Sequence, residues 1–453
     1  MPDPETRELF LLPRRSARCA NALQWCILVG MKLLSQYRGL PKQTYFLSVI
    51  MLIVEIAICC VFPFMSLICS RMLGFSTVQT GYIVAFTSLG NIIGPLMGGK
   101  LSDHWGRRKT YIRLAVIMIA AMILAGLVCR HRILVLLLFL CNAIASAVVP
   151  IISAMVIDIS PEEKRNESFS LVYIFSNIGS ALGPAIAGML FYNHFPGTFF
   201  TMAICYAVAL VLMLFRIKET YAGNAGGAVR ISDAQDAGKK ASGSNGAAGS
   251  AEEGSDRSVF SMMMHSPAVL IFTVCLFMIF VCYTEISYVL PLQFADRIGL
   301  EASSRLTSAI WTVNGIVVIL FTPVLMLFIK KHKPLFNLVI GCLLYVVGYA
   351  LYSLKLSPVA AVLIVLVWTS GEIFVNTEGT VYLAEIAPPR HRGEVVALFT
   401  FSRGVGKLIG PVLCSHVLMN AGYRELWLIA SGISLAVAIV LYVLHRSGSR
   451  RND

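Results

Sequence analysis

Long apolar stretches dominate this chain. A helix that crosses the hydrocarbon core of a bilayer needs roughly 20 apolar residues, and the sequence contains twelve such runs. Only 13% of the residues are charged, whereas about one quarter are charged in a soluble domain. The pattern therefore predicts an all-α membrane protein with twelve transmembrane helices. The runs cover residues 44–69, 78–99, 111–129, 133–157, 168–192, 198–216, 267–291, 306–329, 335–354, 359–386, 394–419 and 425–445.

The distribution of basic residues predicts how the chain is oriented. With a cytoplasmic N-terminus, 28 Lys and Arg residues fall on the cytoplasmic side and 7 on the other, while Arg403 and Lys407 lie within a predicted helix. Cytoplasmic loops of membrane proteins carry such an excess. We therefore expect both termini in the cytoplasm, and we attribute the net charge of +13 to topology rather than to nucleic-acid binding.

One long connector divides the predicted helices six and six. It is rich in Gly, Ala and Ser, a composition typical of a flexible linker. We predict a cytoplasmic basic N-terminal segment (1–43), a first six-helix half (44–216), the flexible cytoplasmic linker (217–265), a second six-helix half (266–445) and a cytoplasmic tail (446–453).

The two halves also repeat each other in sequence. Gly, Pro and charged residues recur at a constant offset of 227 positions around the fifth and eleventh helices, and of 228 positions farther upstream. Duplicated halves related by an axis along the membrane normal are a known transporter architecture, with the substrate between the halves. The matched pairs are Pro161 and Pro388, Arg165 and Arg392, Glu167 and Glu394, Gly179 and Gly406, Gly183 and Gly410, Pro184 and Pro411, Pro63 and Pro291, and Pro95 and Pro323.

The connector between the second and third runs is short and highly charged, reading GKLSDHWGRRKTY over residues 99–111. Glycine allows a sharp turn, and an acid among arginines can form charge-assisted bonds in one conformation and lose them in another. We predict a conformational gate centred on Asp103; the simpler alternative is an ordinary basic loop. The matching loop in the second half, LMLFIKKHKPL, lacks the acid, so the gate is one-sided. Its predicted members are Gly99, Asp103, Gly106, Arg107, Arg108, Arg165 and Arg392.

This turn resembles the loop signature of the major facilitator superfamily. That signature runs Gly, any residue, Leu, small, Asp, basic, any residue, Gly, Arg, Arg or Lys; here Gly99, Leu101, Ser102, Asp103, His104, Gly106, Arg107 and Arg108 occupy it. The resemblance implies two pseudo-symmetric six-helix halves and transport by alternating access.

The fifth helix carries a second motif, GSALGPAIAG over residues 179–188. It resembles the antiporter signature of drug-exporting members of that family, with Ala187 where the family usually has Gly. The residues that carry this resemblance are Gly179, Gly183, Pro184 and Gly188. Glycines four residues apart also give a smooth face for helix contact, and the partial repeat at Gly406–Pro411 favours that packing interpretation.

Ionisable residues inside predicted helices are functional candidates, because charge is costly in hydrocarbon. Glu55 is the first candidate for binding a proton or a cation, since a carboxylate in a dry cavity can load and release protons. Glu285, Glu372 and Glu378 follow, and the two acids of the tenth helix can pair with Arg403 or Lys407, which lie one turn apart. The alternative for each is a structural ion pair.

The fourth helix departs from the resemblance. Many proton-coupled exporters carry an arginine there, whereas this chain reads LFLCNAIASAVVP, with Asn142 as its strongly polar residue. Asn142 can hydrogen-bond a substrate. Asp158 and Glu385 end the fourth and tenth helices, and we predict that they pair with Arg165 and Arg392 as structural gates.

These observations and the resemblance predict a secondary transporter that exports a hydrophobic or cationic small molecule in exchange for protons. A uniporter or symporter for a metabolite such as an organic acid is the alternative, and a non-transporting sensor or scaffold is more remote. We expect no enzyme activity, no cofactor other than the coupling proton, and no metal site, because the twelve cysteines lack ligand spacing. We expect a monomer in a cell membrane, of the bacterial cytoplasmic type, in contact with lipid and substrate and with no nucleic acid.

Overall fold

The protein is a bundle of twelve long helices, seen in a computed structural model that describes residues 37–220, 267–354, 356–387 and 392–449. Most of the predicted N-terminal segment and linker, and residues 450–453, lie outside the described residues. The helices are α1 (Lys42–Met72), α2 (Thr77–Trp105), α3 (Arg107–Leu127), α4 (Leu134–Ile159), α5 (Arg165–Leu190), α6 (Phe195–Arg216), α7 (Pro267–Ile298), α8 (Leu300–Ile329), α9 (Pro334–Tyr352), α10 (Pro358–Ile386), α11 (Arg392–Asn420) and α12 (Tyr423–Ser449).

Local sequence accounts for several of the boundaries. Ser76 and Gln79 form a reciprocal capping box before α2, which satisfies amide groups that the first helical turn leaves free. Ser357 caps α10. The seventh run was predicted to end at Pro291, but α7 continues to Ile298. Proline removes one helical hydrogen bond, but Leu292, Gln293 and Phe294 directly after it are buried, so packing supports the helix through this point.

Two helices are irregular. α1 contains a 3₁₀ turn at Phe62–Phe64, next to Pro63, and a π turn at Ile68–Met72. α2 is interrupted between Ser88 and Gly90. Deviations of this kind are frequent at functional positions of helices. Phe62 and Pro63 of the 3₁₀ turn and Ser88 at the interruption of α2 line the space between the two halves.

Helix packing follows the sequence repeat. α1 packs along α5, α2 along α4 and α3 along α6, and the equivalent pairs α7–α11, α8–α10 and α9–α12 pack in the same way. The halves meet where α5 packs on α8 and where α11 packs on α2. The fold is therefore two pseudo-symmetric six-helix halves, as predicted. Within the described residues, eleven helices satisfy the length and apolarity of a membrane span, and α11 completes the twelve.

The halves are joined at one end of the bundle. We call the end where α6 finishes and α7 begins the linker end, and the opposite one the far end. At the far end, Arg71 on α1 forms an ion pair with Asp296 on α7, which also accepts a hydrogen bond from Tyr423. The Tyr288 hydroxyl donates to the Thr77 carbonyl at 2.7 Å. Among the described residues, no side-chain hydrogen bond or ion pair joins the halves at the linker end.

Candidate functional site

A cavity of about 640 Å³ lies between the halves, at the middle of the bundle. Eight helices line it: α1, α2, α4 and α5 from one half, and α7, α8, α10 and α11 from the other. Because the inter-half bonds close the far end, the cavity faces the linker end. Its size is that of sites for small organic molecules. Of the predicted ionisable and polar candidates, it brings together Glu55, Asn142, Glu372, Arg403 and Lys407.

Glu55 lies on α1 in the wall of the first half. The Ser176 side chain on α5 lies beside its carboxylate. Lys407 and Arg403, on α11 of the other half, attract it electrostatically, although neither forms an ion pair within 4 Å with a described acid. Glu55 is therefore a carboxylate whose surroundings include both halves.

Glu372 lies opposite, on α10, and neutral donors hold it. The Tyr283 hydroxyl donates to Oε1 at 2.9 Å, and the Asn314 side-chain amide donates to Oε2 at 2.9 Å. Asn376 adds a longer bond of 3.4 Å to Oε1. The predicted pairing with α11 takes the form of electrostatic attraction by Lys407, without an ion pair within 4 Å among the described residues.

Arg403 and Lys407 point from α11 into the same cavity, together with Pro411. Residues four apart share one face of a helix, and the neighbouring face of α11 is formed by glycines that pack on α7: a Cβ at Gly406 would lie 2.7 Å from the Cβ of Phe280. The glycine face of α11 packs against α7, and the face with Arg403 and Lys407 lines the cavity.

Two polar pairs repeat across the halves. The Asn142 amide donates to the Thr87 carbonyl at 2.7 Å, and the Asn314 amide donates to the Thr369 hydroxyl at 3.0 Å. Both pairs are 55 residues apart in sequence, and the offset of 227 aligns Thr87 with Asn314 and Asn142 with Thr369. Asn and Thr have thus exchanged positions while the contact between the helices is kept. Asn142 lines the cavity, but its side-chain amide donates one hydrogen bond within its own half.

The glycine motif of α5 positions Glu55. A Cβ at Gly179 would lie 2.8 Å from the Cβ of Glu55, and one at Gly183 would lie 2.6 Å from the Ile56 carbonyl oxygen and 2.7 Å from the Cβ of Cys59. α1 and α5 can therefore approach only because these residues lack side chains. Pro184 lines the cavity, whereas Gly188 packs on Ser308 of α8.

The charged turn is organised around Gly106 at the linker end. Gly106 has φ +89°, and a Cβ there would lie 2.9 Å from Oε2 of Glu219. The Glu219 carboxylate accepts amide hydrogen bonds from Arg107 (2.9 Å), Arg108 (3.1 Å) and Lys109 (3.3 Å). It thereby satisfies free amides at the positive end of α3, and it does so from the first residues after α6.

The ion pairs of the turn differ from the predicted ones. Asp158 pairs with Arg107 at 2.6 Å rather than with Arg165, because the end of α4 lies beside the start of α3. The Arg108 guanidinium donates to the Leu214 carbonyl at the end of α6. Asp103 is exposed and forms no hydrogen bond or ion pair with a described residue. The centre of the network in this conformation is therefore Arg107.

The remaining gate residues are scattered at the linker end. Gly99 has open space around the position of a Cβ. Arg165 begins α5, and its Nε is buried without a hydrogen-bond partner. Arg392 is the first residue of α11, and its side chain lies outside the described residues.

Two predicted acids are not in the cavity. Glu285 is 5% exposed inside the second half, where it contacts Cys414 of α11, and its Oε2 has no hydrogen-bond partner. Glu378 is buried nearer the linker end and accepts a hydrogen bond from Asn337 at 3.2 Å. Glu285 and Glu378 thus contact residues of the second half.

The sequence of this chain matches a known protein family. The model of the Major Facilitator Superfamily matches residues 45–411 and 374–453. The chain belongs to this superfamily. An uncharacterised MFS-type transporter of Bacillus subtilis, YqjV, is 24% identical over 77% of this chain and 80% of its own length. The multidrug resistance protein MdtG of Klebsiella pneumoniae is 23% identical over 84% and 87%. A Na⁺, Li⁺, K⁺/H⁺ antiporter of Planococcus maritimus is 20% identical over 85% and 92%.

Solved structures of the superfamily share the fold. A POT family transporter in complex with 5-aminolevulinic acid superposes with a TM-score of 0.72 at 15% identity, over 89% of this chain and 96% of its own. The nucleoside transporter NupG gives 0.65 at 14% identity, over 89% and 99%. The protein is thus a multi-pass membrane transporter of the major facilitator fold, with relatives in bacteria.

Several cavity residues are not marked by the sequence motifs. Tyr283 and Trp311 are two of many aromatic residues in the spans, and Ser176, Asn314 and Asn376 belong to none of the motifs described above. One signal was available: an offset of 228 aligns Tyr283 with Glu55, and an offset of 227 aligns Asn314 with Thr87. Aligning the repeat at polar positions, as well as at Gly and Pro, identifies them.

Proposed function

We propose that this protein is a secondary active transporter that exports a hydrophobic or cationic small molecule in exchange for protons, by alternating access. The observation that carries the proposal is the position of Glu55: a carboxylate at the middle of the bundle, in the inter-half cavity, facing cations of the opposite half. Distant relatives named as a cation/proton antiporter and a multidrug resistance protein support exchange and a drug-like substrate.

The proposed cycle uses the two ends of the bundle. In this conformation the cavity faces the linker end, which we expect to be cytoplasmic from the excess of Lys and Arg on that side. Substrate enters there and approaches Glu55 and Glu372. Binding of a cation displaces a proton from Glu55, and the far-end bonds around Asp296 then break to release the substrate outside. A proton from outside neutralises Glu55 and permits the return.

A second candidate is transport of an organic acid by a uniporter or symporter. Arg403 and Lys407 favour it, because they face the cavity without an ion pair among the described residues. Tyr283 and Trp311, which line the cavity, favour the cation instead, since aromatic faces and carboxylates such as Glu372 attract cations.

A flux assay in proteoliposomes tests the proposal. The protein is reconstituted with a pH-sensitive dye inside the vesicles, and tetraphenylphosphonium is added in a gradient after a pH jump. We expect the lipophilic cation to drive proton movement in the wild type and to drive roughly tenfold less or none in Glu55→Gln, since the amide binds no proton in this range. The absence of proton movement in the wild type with any lipophilic cation would refute proton antiport, and normal movement in Glu55→Gln would exclude Glu55.

A further inference from the structure

Arg403 and Lys407 line a cavity that also contains two acids, Glu55 and Glu372. Neither cation forms a hydrogen bond or an ion pair within 4 Å with a described residue, although Glu55 and Glu372 line the same space. Charges at this depth are costly unless they are solvated or paired. Their position favours the binding of an anion that is not part of the protein.

The two acids are engaged elsewhere. Glu372 already accepts hydrogen bonds from Tyr283, Asn314 and Asn376, and Glu55 has the Ser176 side chain of its own half beside it. Neutral donors therefore hold the Glu372 carboxylate, and neither acid forms an ion pair within 4 Å with Arg403 or Lys407. The cavity keeps two carboxylates and two cations apart, which is the arrangement needed to bind both ends of a dipolar molecule.

The sequence repeat separates these cations from the packing of the fold. The offset of 227 aligns Arg403 with Ser176 and Lys407 with Ser180, while the packing residues Gly406 and Gly410 keep their equivalents in α5. α5 and α11 both pack through glycines, so that packing requires no cation at either position. The cations are an addition specific to the second half.

An aromatic wall lies beside Glu372. The Trp368 ring lies 6.2 Å from that of Tyr283 and 6.1 Å from that of Trp311, both edge-on, and Tyr283 and Trp311 line the cavity. Rings next to a carboxylate form a favourable environment for an ammonium group on an aromatic or aliphatic body. The α11 cations therefore face a cavity whose other wall suits a positive charge.

We infer that the transported molecule is amphoteric, with an anionic group such as a carboxylate bound by Arg403 and Lys407 and an ammonium-bearing body against Glu372 and its aromatic neighbours. This rests on the proposed function and narrows its substrate from any hydrophobic cation to one that also carries an acid. Arg403 provides a planar fork that fits a carboxylate, and Lys407 provides a point charge one turn away.

Cys59 is a natural reporter of cavity occupancy, because it lines the cavity near Glu55 and Lys407. Detergent-purified protein is labelled with a methanethiosulfonate reagent, and labelling of Cys59 is followed by mass spectrometry. The probes are 4-(aminomethyl)benzoic acid and its methyl ester, which differ only in the acid. Each probe is titrated for protection of Cys59.

We expect the acid to protect wild-type Cys59 at roughly tenfold lower concentration than the ester, since a charge-assisted pair contributes about this much. Lys407→Gln and Arg403→Gln should remove the difference without weakening the ester, whereas Lys407→Arg should retain it. Arg113→Gln is the control, because Arg113 stacks on Trp105 outside the cavity. Melting temperatures identify any variant that is misfolded.

The inference is overturned if the acid protects no better than its ester in the wild type, or if both α11 variants keep the preference. Proton exchange driven by the ester in proteoliposomes separates the two proposals. If the ester moves protons while the acid has no advantage, the amphoteric substrate is wrong and antiport stands. If neither probe moves protons, the proposed antiport itself fails.

Discussion

At the scale of single residues, Glu55 and Glu285 carry the same group in different surroundings. Glu55 lines the cavity, whereas Glu285 is 5% exposed within the second half and leaves Oε2 without a partner. A buried polar atom without a hydrogen bond costs about 1–3 kcal/mol. Position in the cavity, rather than depth in the bundle, therefore distinguishes a candidate proton carrier from a structural acid.

We predict that Glu285→Met retains substrate-driven proton movement and stabilises the protein. A methionine has a similar volume and no unsatisfied oxygen, so the free energy of unfolding should rise by about 1 kcal/mol. Thermal unfolding in detergent measures the stability, and the proteoliposome assay measures coupling. Loss of proton movement in this variant would make Glu285 part of the proton path and contradict the assignment to Glu55.

Gly106 offers a second prediction for a single residue. Its φ of +89° and the nearby Glu219 carboxylate leave no room for a side chain, so Gly106→Ala should lower stability by about 1–3 kcal/mol. Gly99→Ala is the matched control: Gly99 is in the same motif, lies within a helix and has open space at the Cβ position. There alanine should stabilise the helix by about 0.5–1 kcal/mol. Equal melting temperatures for the two variants would refute this explanation of the turn.

At the scale of helices, the pair α1–α5 holds Glu55 in the cavity wall. Gly179→Ala would introduce a Cβ 2.8 Å from that of Glu55 and against the Leu52 backbone, so the helices must separate. We predict a stability loss of about 1–3 kcal/mol and a clear loss of transport. Gly432→Ala on α12, where nothing lies within 4 Å, is the control. Unchanged transport in Gly179→Ala would show that the spacing of α1 and α5 does not govern the site.

The sequence predicts helices well and their partners less well. Twelve spans follow from apolar runs, and the repeat at Gly183 and Gly410 anticipates the two glycine contacts. The pairing of Asp158 with Arg107 rather than Arg165 depends on which helix ends are adjacent, and that adjacency comes from packing of α3, α4 and α6. The hydrogen bonds from Tyr283 and Asn314 to Glu372 likewise connect three helices, so no local sequence pattern predicts them.

At the scale of the whole molecule, the far-end bonds determine which side the cavity faces. The ion pair between Arg71 and Asp296 joins the two halves at the far end, and the two side chains are 36% and 44% exposed. The Tyr423 hydroxyl on α12 donates a hydrogen bond to Asp296. Tyr82 on α2 and His416 on α11 lie 3.2 Å apart nearby. An exposed ion pair contributes at most about 1 kcal/mol, and a hydrogen bond contributes a similar amount. Closure of this end is therefore weak enough to reverse in each transport cycle.

We predict that Asp296→Ala shifts the protein toward a state open at the far end. Losing the Arg71 ion pair, which joins the two halves, removes about 1 kcal/mol from the closed state, and this changes a two-state equilibrium roughly fivefold. The Tyr423 bond lies within the second half and does not contribute to this difference. Cys59 lines the cavity, so a membrane-impermeant thiol reagent added on the far side should label it about five times faster in Asp296→Ala. Mass spectrometry locates the label, and Cys59→Ala provides the background. Glu301→Gln is the matched control, since it removes an ion pair with Arg305 within α8 at the same end without joining the halves. Equal labelling rates in Asp296→Ala and Glu301→Gln would mean that Asp296 does not hold the far end closed.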